Sequence, residues 1–223
     1  MALKPFFSLI FALFLFSCSF EQEEQINYEA EFNSIVSEFE KSSILNFDRK
    51  DIEKDTFLEQ FITKLDKQKN TFLQEDLNKF RENSNNNIKS NYQQLKEVVD
   101  LYYQRYEESL KTRRQYLNDF EFNYNKNEQI NLKPRDSFFQ NKQEKQDYQR
   151  KIVKNELINL LLENKNNFEA KSELKKTYTN RLSSISKIRE SDRFGILANN
   201  FLSMLDPHAV SYTHLRAHET QFH

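Results

Sequence analysis

Glycine is almost absent from this chain, and that scarcity constrains the fold more than any other feature of the sequence. Among 223 residues there are one glycine, Gly195, and three prolines. An all-β protein needs turn-forming residues roughly every dozen positions. Glycine-rich phosphate loops and oxyanion-hole turns also depend on the backbone freedom of glycine. The composition therefore predicts an all-α protein, with 21 Phe and ten Tyr to supply large core side chains.

Apolar residues recur at steps of three and four along most of the chain, which is the pattern of amphipathic helices. Such stripes occur around residues 32–39, 57–65, 77–80, 88–120, 148–162, 174–188 and 194–205. We therefore expect a multi-helix bundle, with a connector over 66–74 between the second and third helices. The last helix is expected to be capped by Ser191 or Asp192 and ended by Pro207.

The stripe from about Ile88 to Phe120 predicts one long central helix. Its spacing is close to a heptad repeat, so a coiled coil is an alternative, although tyrosine at many seam positions favours packing inside a globular bundle. The polar stretch Glu121–Pro134 predicts a long loop. A helix is then expected from about Asp136, and its apolar later part, residues 148–162, is expected to lie deepest in the core.

The N-terminal segment has the pattern of a bacterial lipoprotein signal. Lys4 supplies a positive charge, and residues 6–17 form an apolar run too short to span a bilayer comfortably. The run Leu15–Cys18 resembles a lipobox, and Cys18, the only cysteine, supplies the thiol that lipidation requires. We expect an exported, periplasmic protein that is tethered to the membrane as a lipoprotein. An ordinary secretory signal and an uncleaved anchor are the alternatives.

The composition changes near the C-terminal end. Residues 210–220 look like one reading frame of a transposon-end sequencing adapter, so we interpret 210–223 as a foreign or disordered tail. Residues 27–209 are then a native helical domain of a longer protein. A lipoprotein signal peptide over 1–17 and a polar spacer over 18–26 precede that domain.

The chain contains residue types that form catalytic or metal sites, but their spacing or their position in the chain argues against such a site. Ser203, Asp206 and His208 fall too close along the chain to take separate triad roles. His214 and His218 have the spacing of two metal ligands on a helix, but both lie in the segment interpreted as foreign. We predict no metal site, no cofactor and no catalytic residue in this chain. The interspersed charges, with a net value of -1, indicate no nucleic-acid partner.

The connector between the second and third helices carries a more specific pattern. It contains a Leu-Asp pair, a basic stretch, a Phe-Leu pair and an acidic residue, at Leu65, Asp66, Phe72, Leu73 and Asp76. This pattern resembles the segment that joins two helices in the N-terminal domain of tail-specific proteases, also called carboxy-terminal processing proteases.

Three further segments agree with the same family in the same order. Residues 103–116 resemble its arginine-dotted long helix, and 148–157 resemble its lysine- and leucine-rich helix, with Tyr148 where the family usually has Trp. The most specific segment is the domain-junction motif, which the family writes as LDPHT. It is formed here by Leu205, Asp206, Pro207 and His208, with Ala209 in place of the Thr.

The resemblance implies a longer parent protein in which a PDZ module and a serine protease body follow this domain. In such a body a partly desolvated lysine acts as the base toward a serine. Both elements lie beyond the junction motif in the family, so the chain is expected to be an inactive helical scaffold of a Ser/Lys-dyad endopeptidase. Its expected partners are protein substrates with exposed C-terminal tails, through the missing domains, and the membrane, through Cys18. Without those domains, apolar surface is expected to be exposed near Phe201 and Leu205.

The alternative belongs to another class of protein. It is an exported α-helical lipoprotein that acts as an adaptor or structural interaction module through its Tyr and Phe seams, unconnected with proteolysis. A stop codon soon after Ala209 in independent reads of the gene favours the adaptor, whereas a PDZ-like stretch and later Ser and Lys motifs favour the protease.

Overall fold

The chain folds into a helical bundle, as its scarcity of glycine predicts. The computed structural model describes residues 26–42, 50, 52, 55–85, 91–126, 128–163 and 165–205. Within these ranges there are seven helices: α1 (Tyr28–Ser42), α2 (Asp55–Leu65), α3 (Gln74–Asn85), α4 (Asn91–Asp119), α5 (Lys142–Leu162), α6 (Asn167–Ser186) and α7 (Glu190–Leu205). The same ranges hold no strand, only an isolated bridge between Leu73 and Phe139.

The predicted long central helix is α4, which contacts each of the other six helices. Its 29 residues extend over about 43 Å at the rise of an α-helix. Because α4 is so long, its two halves belong to two separate cores. Tyr92 and Leu95 lie in the first core, whereas Leu110 and Leu117 lie in the second.

The first core gathers aromatic side chains from α1, α2, α7 and the connector between α2 and α3. Phe32, Phe61, Phe72 and Phe201 are all fully buried there. The rings of Phe32 and Phe201 meet edge to face, with 5.0 Å between their centroids. Each such side chain contributes roughly 1.5–3 kcal/mol of hydrophobic stabilisation. The expectation of exposed apolar surface at Phe201 is therefore wrong, because α1 and α2 cover this side chain.

The second core lies between the C-terminal half of α4 and the antiparallel pair α5 and α6. Tyr178 and Leu157 are fully buried in it, and the small side chain of Ala170 is also fully buried. Helix α6 begins with a capping box, in which Asn166 accepts from the backbone of Glu169 and Glu169 accepts from the backbone of Asn166. Reciprocal capping of this kind satisfies two otherwise unpaired amide groups.

The expected start of α5 near Asp136 is wrong, because this helix begins six positions later, at Lys142. Asn141 caps it, since the side chain of Asn141 accepts from the backbone N–H of Glu144 at 2.9 Å. The residues before the cap are not helical, and Phe139 accepts a hydrogen bond from the N–H of Gln74 at 2.8 Å. They fasten the loop to the first turn of α3. The predicted loop over Glu121–Pro134 is confirmed for its described residues.

The later part of α5 does not lie deepest in the core as expected. Val153 and Leu157 are fully buried, but Leu162 is 76% exposed. One face of α5 packs on α4 and α6, while the opposite face meets solvent. The buried face also carries polar residues, among them Lys145 and Gln149.

Two expectations about helix ends have different outcomes. Helix α7 begins at Glu190, before either predicted cap, and the carboxylate of Asp192 instead accepts from the N–H of Arg189 at 3.0 Å. Pro207, the predicted end of α7, lies outside the described residues, as do Cys18 and the tail over 210–223. Within the described part of the chain, no helix is long and apolar enough to cross a bilayer.

Candidate functional site: a buried polar joint

The connector between α2 and α3 is organised by one carboxylate. Asp66 is buried, and its two oxygens accept hydrogen bonds from the N–H groups of Asn70, Thr71 and Phe72 at 3.2, 2.9 and 3.1 Å. Lys69, with a φ of 51°, provides the left-handed turn between them. An aspartate is needed at position 66 because a carboxylate accepts several backbone donors at once.

The apolar residues of the connector motif attach it to the first core. Phe72 is buried in that core, and Leu65 is partly buried against it. Leu73 is also buried, outside that cluster, and pairs with Phe139 in the isolated bridge. The ring of Phe72 lies 5.8 Å from that of Tyr102 on α4 and 6.4 Å from that of Phe138 in the long loop. The connector is therefore held from two sides by side chains distant in sequence.

Asp76, the acidic residue of the motif, has two roles. One oxygen accepts from the N–H of Leu73 at 2.9 Å, which caps the first turn of α3. The carboxylate also receives two hydrogen bonds from the guanidinium of Arg105 on α4, Nε to Oδ2 at 3.0 Å and Nη2 to Oδ1 at 2.7 Å. This hydrogen bond to Asp76 raises the pKa of Arg105, which stays charged although its side chain is nearly buried.

Lys145 of α5 completes the joint. Its ammonium group donates to the carbonyl of Thr71 in the connector and to the carbonyl of Arg105 on α4 at 3.3 Å. Burial, followed by the charge of Arg105, lowers the pKa of Lys145 to about 8. One side chain thus ties α5 to both the connector and the middle of α4, between the two cores. We call Asp66, Asp76, Arg105 and Lys145 the polar joint.

A small cavity opens beside the polar joint. Its volume is about 80 Å³, and its walls include Arg105, Lys145 and Gln149. Gln149 is 1% exposed, and its Oε1 accepts from Nε of Arg113 at 2.5 Å. Its Nε2 has no hydrogen-bond partner among the described residues. A buried amide donor without an acceptor costs roughly 1–3 kcal/mol.

A second charged group fastens the long loop to α5. Glu128 in the loop accepts from Arg150 at 2.6 Å and from Lys154 at 2.9 Å. The hydrogen bond from Arg150, followed by that from Lys154, lowers the pKa of Glu128 to about 2. Lys154 also donates to the carbonyl of Lys126 at 2.9 Å. The loop is therefore held on α5 by charge as well as by Phe139, whose ring lies 5.3 Å from that of Tyr148.

The domain-junction motif is only partly described. Leu205, the last residue of α7, packs partly buried against the first core, while Asp206, Pro207 and His208 lie outside the described residues. Nearby, Lys64 of α2 donates to the carbonyl of Ser203. Asn200 donates to the carbonyl of Phe61 at 3.0 Å. The end of α7 is thus fixed on α2, one turn before the connector begins.

The described part of the chain contains no cluster of three His, Cys, Asp or Glu suited to an ion. The polar joint offers mostly N–H donors, and its carboxylates are already occupied by backbone amides or by Arg105. Its chemistry is that of a structural joint beside a donor-lined cavity.

Lys145 and Gln149 were not identified from the sequence as site residues, although their helical spacing places them on the buried face of α5. Val153 and Leu157 mark the buried stripe of α5, and steps of four residues backwards from them reach Gln149 and Lys145. A charge on an amphipathic helix usually marks its solvent-facing side. Arg105 lay within a segment of family resemblance, but its partner Asp76 could not be paired with it from spacing alone.

Comparison with known proteins supports the family resemblance. The family model described as the tail specific protease N-terminal domain matches residues 35–213. The match includes all five residues of the connector motif, all of the junction motif, and the start of the segment interpreted as a foreign tail. None of the curated proteins compared with the chain matches it. A match over well over half of the sequence establishes the family, and the chain belongs to the tail-specific protease N-terminal domain family.

Proposed function

We propose that this chain is the helical scaffold domain of an exported tail-specific serine protease. The observation that carries the proposal is the set of contacts that the residues of the family's connector motif make in the fold. The carboxylates of Asp66 and Asp76 are occupied by hydrogen bonds from backbone amides and from Arg105. Phe72 and Leu73 are buried. Residues that fix the connector and join α3 to α4 in this way support a positioning role rather than a chemical one.

The position of α7 is consistent with a scaffold. Its end is fixed on α2 by Lys64 and Asn200, and its apolar face is buried in the first core. A segment that continues past Leu205 therefore starts from a fixed place on the bundle. A protease body attached there would be held against the helices, where they could admit or position unfolded substrate chains.

In the proposed parent, the PDZ module and the Ser/Lys dyad lie beyond the junction motif, and substrates are proteins with exposed C-terminal tails. Independent reads of the gene test this directly. We expect an open reading frame that continues past Ala209 into a glycine-rich PDZ-like stretch and later Ser and Lys motifs. A stop codon soon after Ala209 contradicts the proposal.

Activity provides a second test. A protein carrying the extended sequence should cleave a substrate with an exposed C-terminal tail, and replacement of its dyad serine by alanine should abolish cleavage. The 223-residue chain should not cleave that substrate. Cleavage by the chain itself would show that the chemistry resides in these helices, contrary to the proposal.

A second candidate function is an adaptor or structural module without a protease body. The observation in its favour is the pair of apolar side chains Leu162 and Phe168 at the corner between α5 and α6, which are 76% and 83% exposed. Large exposed apolar side chains close together often mark contact surfaces. The same gene reads separate the two candidates, because only the adaptor is compatible with an early stop codon.

The membrane tether is also a proposal, and it depends on Cys18. Radioactive fatty acid should label the wild-type chain in a bacterial host and should leave the Cys18→Ser variant unlabelled. Label on both proteins would refute lipidation at this residue. The polypeptide could then still be exported by an ordinary signal.

A further inference from the structure

The cavity beside the polar joint has the features of a built binding site. Gln149 and Lys145, which line it, are 1% and 7% exposed. Its volume of about 80 Å³ is several times the roughly 10–15 Å³ that one water molecule needs. The cavity is therefore large enough for a small polar group and too small for a side chain with a ring.

The donors on the cavity wall define the chemistry of a ligand. Because Oε1 of Gln149 is taken by Arg113, an amide flip would place N–H against N–H, so the NH₂ end must be the unpaired one. Lys145 has three N–H bonds and gives two of them to the carbonyls of Thr71 and Arg105. Its third N–H and the amide of Gln149 are both in need of acceptors.

Charge on the wall favours an anionic acceptor over a cation. Arg105, Lys142 and Lys145 all line the cavity, and Glu108 is the only carboxylate among its lining residues. The Glu108 carboxylate is already bound by Nη1 of Arg105 at 2.9 Å and by Gln104 at 3.2 Å. A cation would meet at least two positive groups there. A planar group with two oxygens can accept from both Gln149 and Lys145.

We propose that this cavity binds one carboxylate group of a polypeptide, presented either at a chain terminus or on an acidic side chain. The inference rests on the proposed function for the choice of a polypeptide as ligand. In the parent, the cavity would hold part of a substrate chain on the helical domain. The gene reads described above test the proposed function without reference to the cavity, so the two can fail separately.

The first experiment uses acetate and acetamide, which differ in charge but hardly in shape. The full chain is labelled with ¹⁵N, and the side-chain amide of Gln149 is followed by NMR during each titration. Acetate should shift this signal in a saturable way, and acetamide should not. The absence of a saturable shift with acetate, or equal binding of both molecules, overturns the proposal.

A matched pair of variants locates the binding. Gln149→Glu keeps an acceptor for Arg113 and so preserves the fold, but places a negative charge on the wall. Because juxtaposed like charges cost several kcal/mol, acetate should bind at least about tenfold more weakly. Gln143→Glu makes the same change at an exposed position of α5 that does not line the cavity, and it should leave binding unchanged. Equal effects of the two variants would refute binding at the cavity.

Two peptides distinguish the sources of the carboxylate by competition with acetate. One has a free C terminus and no acidic side chain, and the other has an amidated C terminus and a single glutamate. Displacement of acetate by the first alone assigns the site to chain termini, and displacement by the second alone assigns it to acidic side chains. If neither peptide competes, the cavity takes only small free ions and the proposal is wrong.

Discussion

Arg105 and Asp76 meet through two parallel hydrogen bonds that join the middle of α4 to the first turn of α3. The side chain of Asp76 is 1% exposed and that of Arg105 is 11% exposed. Arg81 and Glu59 form another pair between α2 and α3, at 2.7 Å, but both of its side chains are more than 40% exposed. The two pairs differ mainly in burial, which makes them a natural comparison.

Replacement of Asp76 by asparagine should destabilise the fold strongly. The change removes the one buried counter-charge of Arg105 and leaves only the half-exposed carboxylates of Glu108 and Glu75 near its guanidinium. Loss of one partner of a buried pair costs roughly 3–5 kcal/mol. Urea unfolding followed by circular dichroism measures the loss. Glu59→Gln, the same chemical change in the exposed pair, should cost no more than about 1 kcal/mol. Equal losses in the two variants would contradict a structural role for the polar joint.

Acid should weaken the attachment of the long loop through Glu128. Its pKa in the folded protein is lowered to about 2, below the ordinary value of 4.5, by Arg150 and Lys154. The stabilising contribution is therefore complete above pH 4.5 and is lost as the pH falls from 4.5 towards 2. The difference in unfolding free energy between wild type and Glu128→Gln should be constant from pH 7 to 5 and shrink below that. Glu121→Gln, at an exposed position of the same loop, should show no such trend.

Lys145 should show the same direction of pH dependence, but in the alkaline range. Its pKa is about 8 in the fold, lowered from 10.5 by burial and then by Arg105, while Glu108, Asp76 and Asp66 act in the other direction. Between these values the unfolded chain holds a proton that the folded protein has released, so the contribution of Lys145 to stability rises with pH. The stability of wild type relative to Lys145→Met should increase from pH 8 to 10.5. A constant difference over that range would show that the ammonium is not desolvated.

Tyr178 offers a test of the second core. Its side chain is fully buried, and its hydroxyl donates to the carboxylate of Glu156. Burial, followed by the charge of Glu156, raises the pKa of this hydroxyl. Tyr178→Phe should cost about 1.5–3 kcal/mol, the range for a hydrogen bond to a charged group. Tyr124→Phe removes an exposed hydrogen bond to Asn167 and should cost less than half as much. Similar costs would refute the importance of the buried contact.

The helices and the first core could be predicted because their signal is local. Phe32, Phe61 and Phe201 lie on stripes of helical spacing, and such stripes report which face of a helix is buried, whatever its partner. The same reasoning gave a wrong prediction of burial at the end of α5. Leu160, Leu161 and Leu162 are apolar, but only one side of α5 finds a partner helix, and no local pattern states how many sides a helix will have covered.

The polar joint could not be predicted, since its contacts join residues far apart in the chain. Lys145 bonds to carbonyls 74 and 40 positions away, at Thr71 and Arg105. A lysine between polar neighbours on a helix is ordinarily exposed. Its burial depends on where the connector lies in space, which in turn depends on Asp66 and Asp76. The motif positions were visible in the sequence, but their role required the packing of three helices.

The scarcity of glycine indicated an all-α fold, but the only glycine is not itself needed for the backbone conformation. Gly195 lies inside α7 without a positive φ, and a Cβ placed there meets no atom within 4 Å. Glycine inside a helix costs about 0.5–1 kcal/mol relative to alanine. Gly195→Ala should therefore stabilise the protein by that amount, measured as a higher urea midpoint with an unchanged slope. A lower midpoint would mean that α7 must come closer to another segment than the described packing requires.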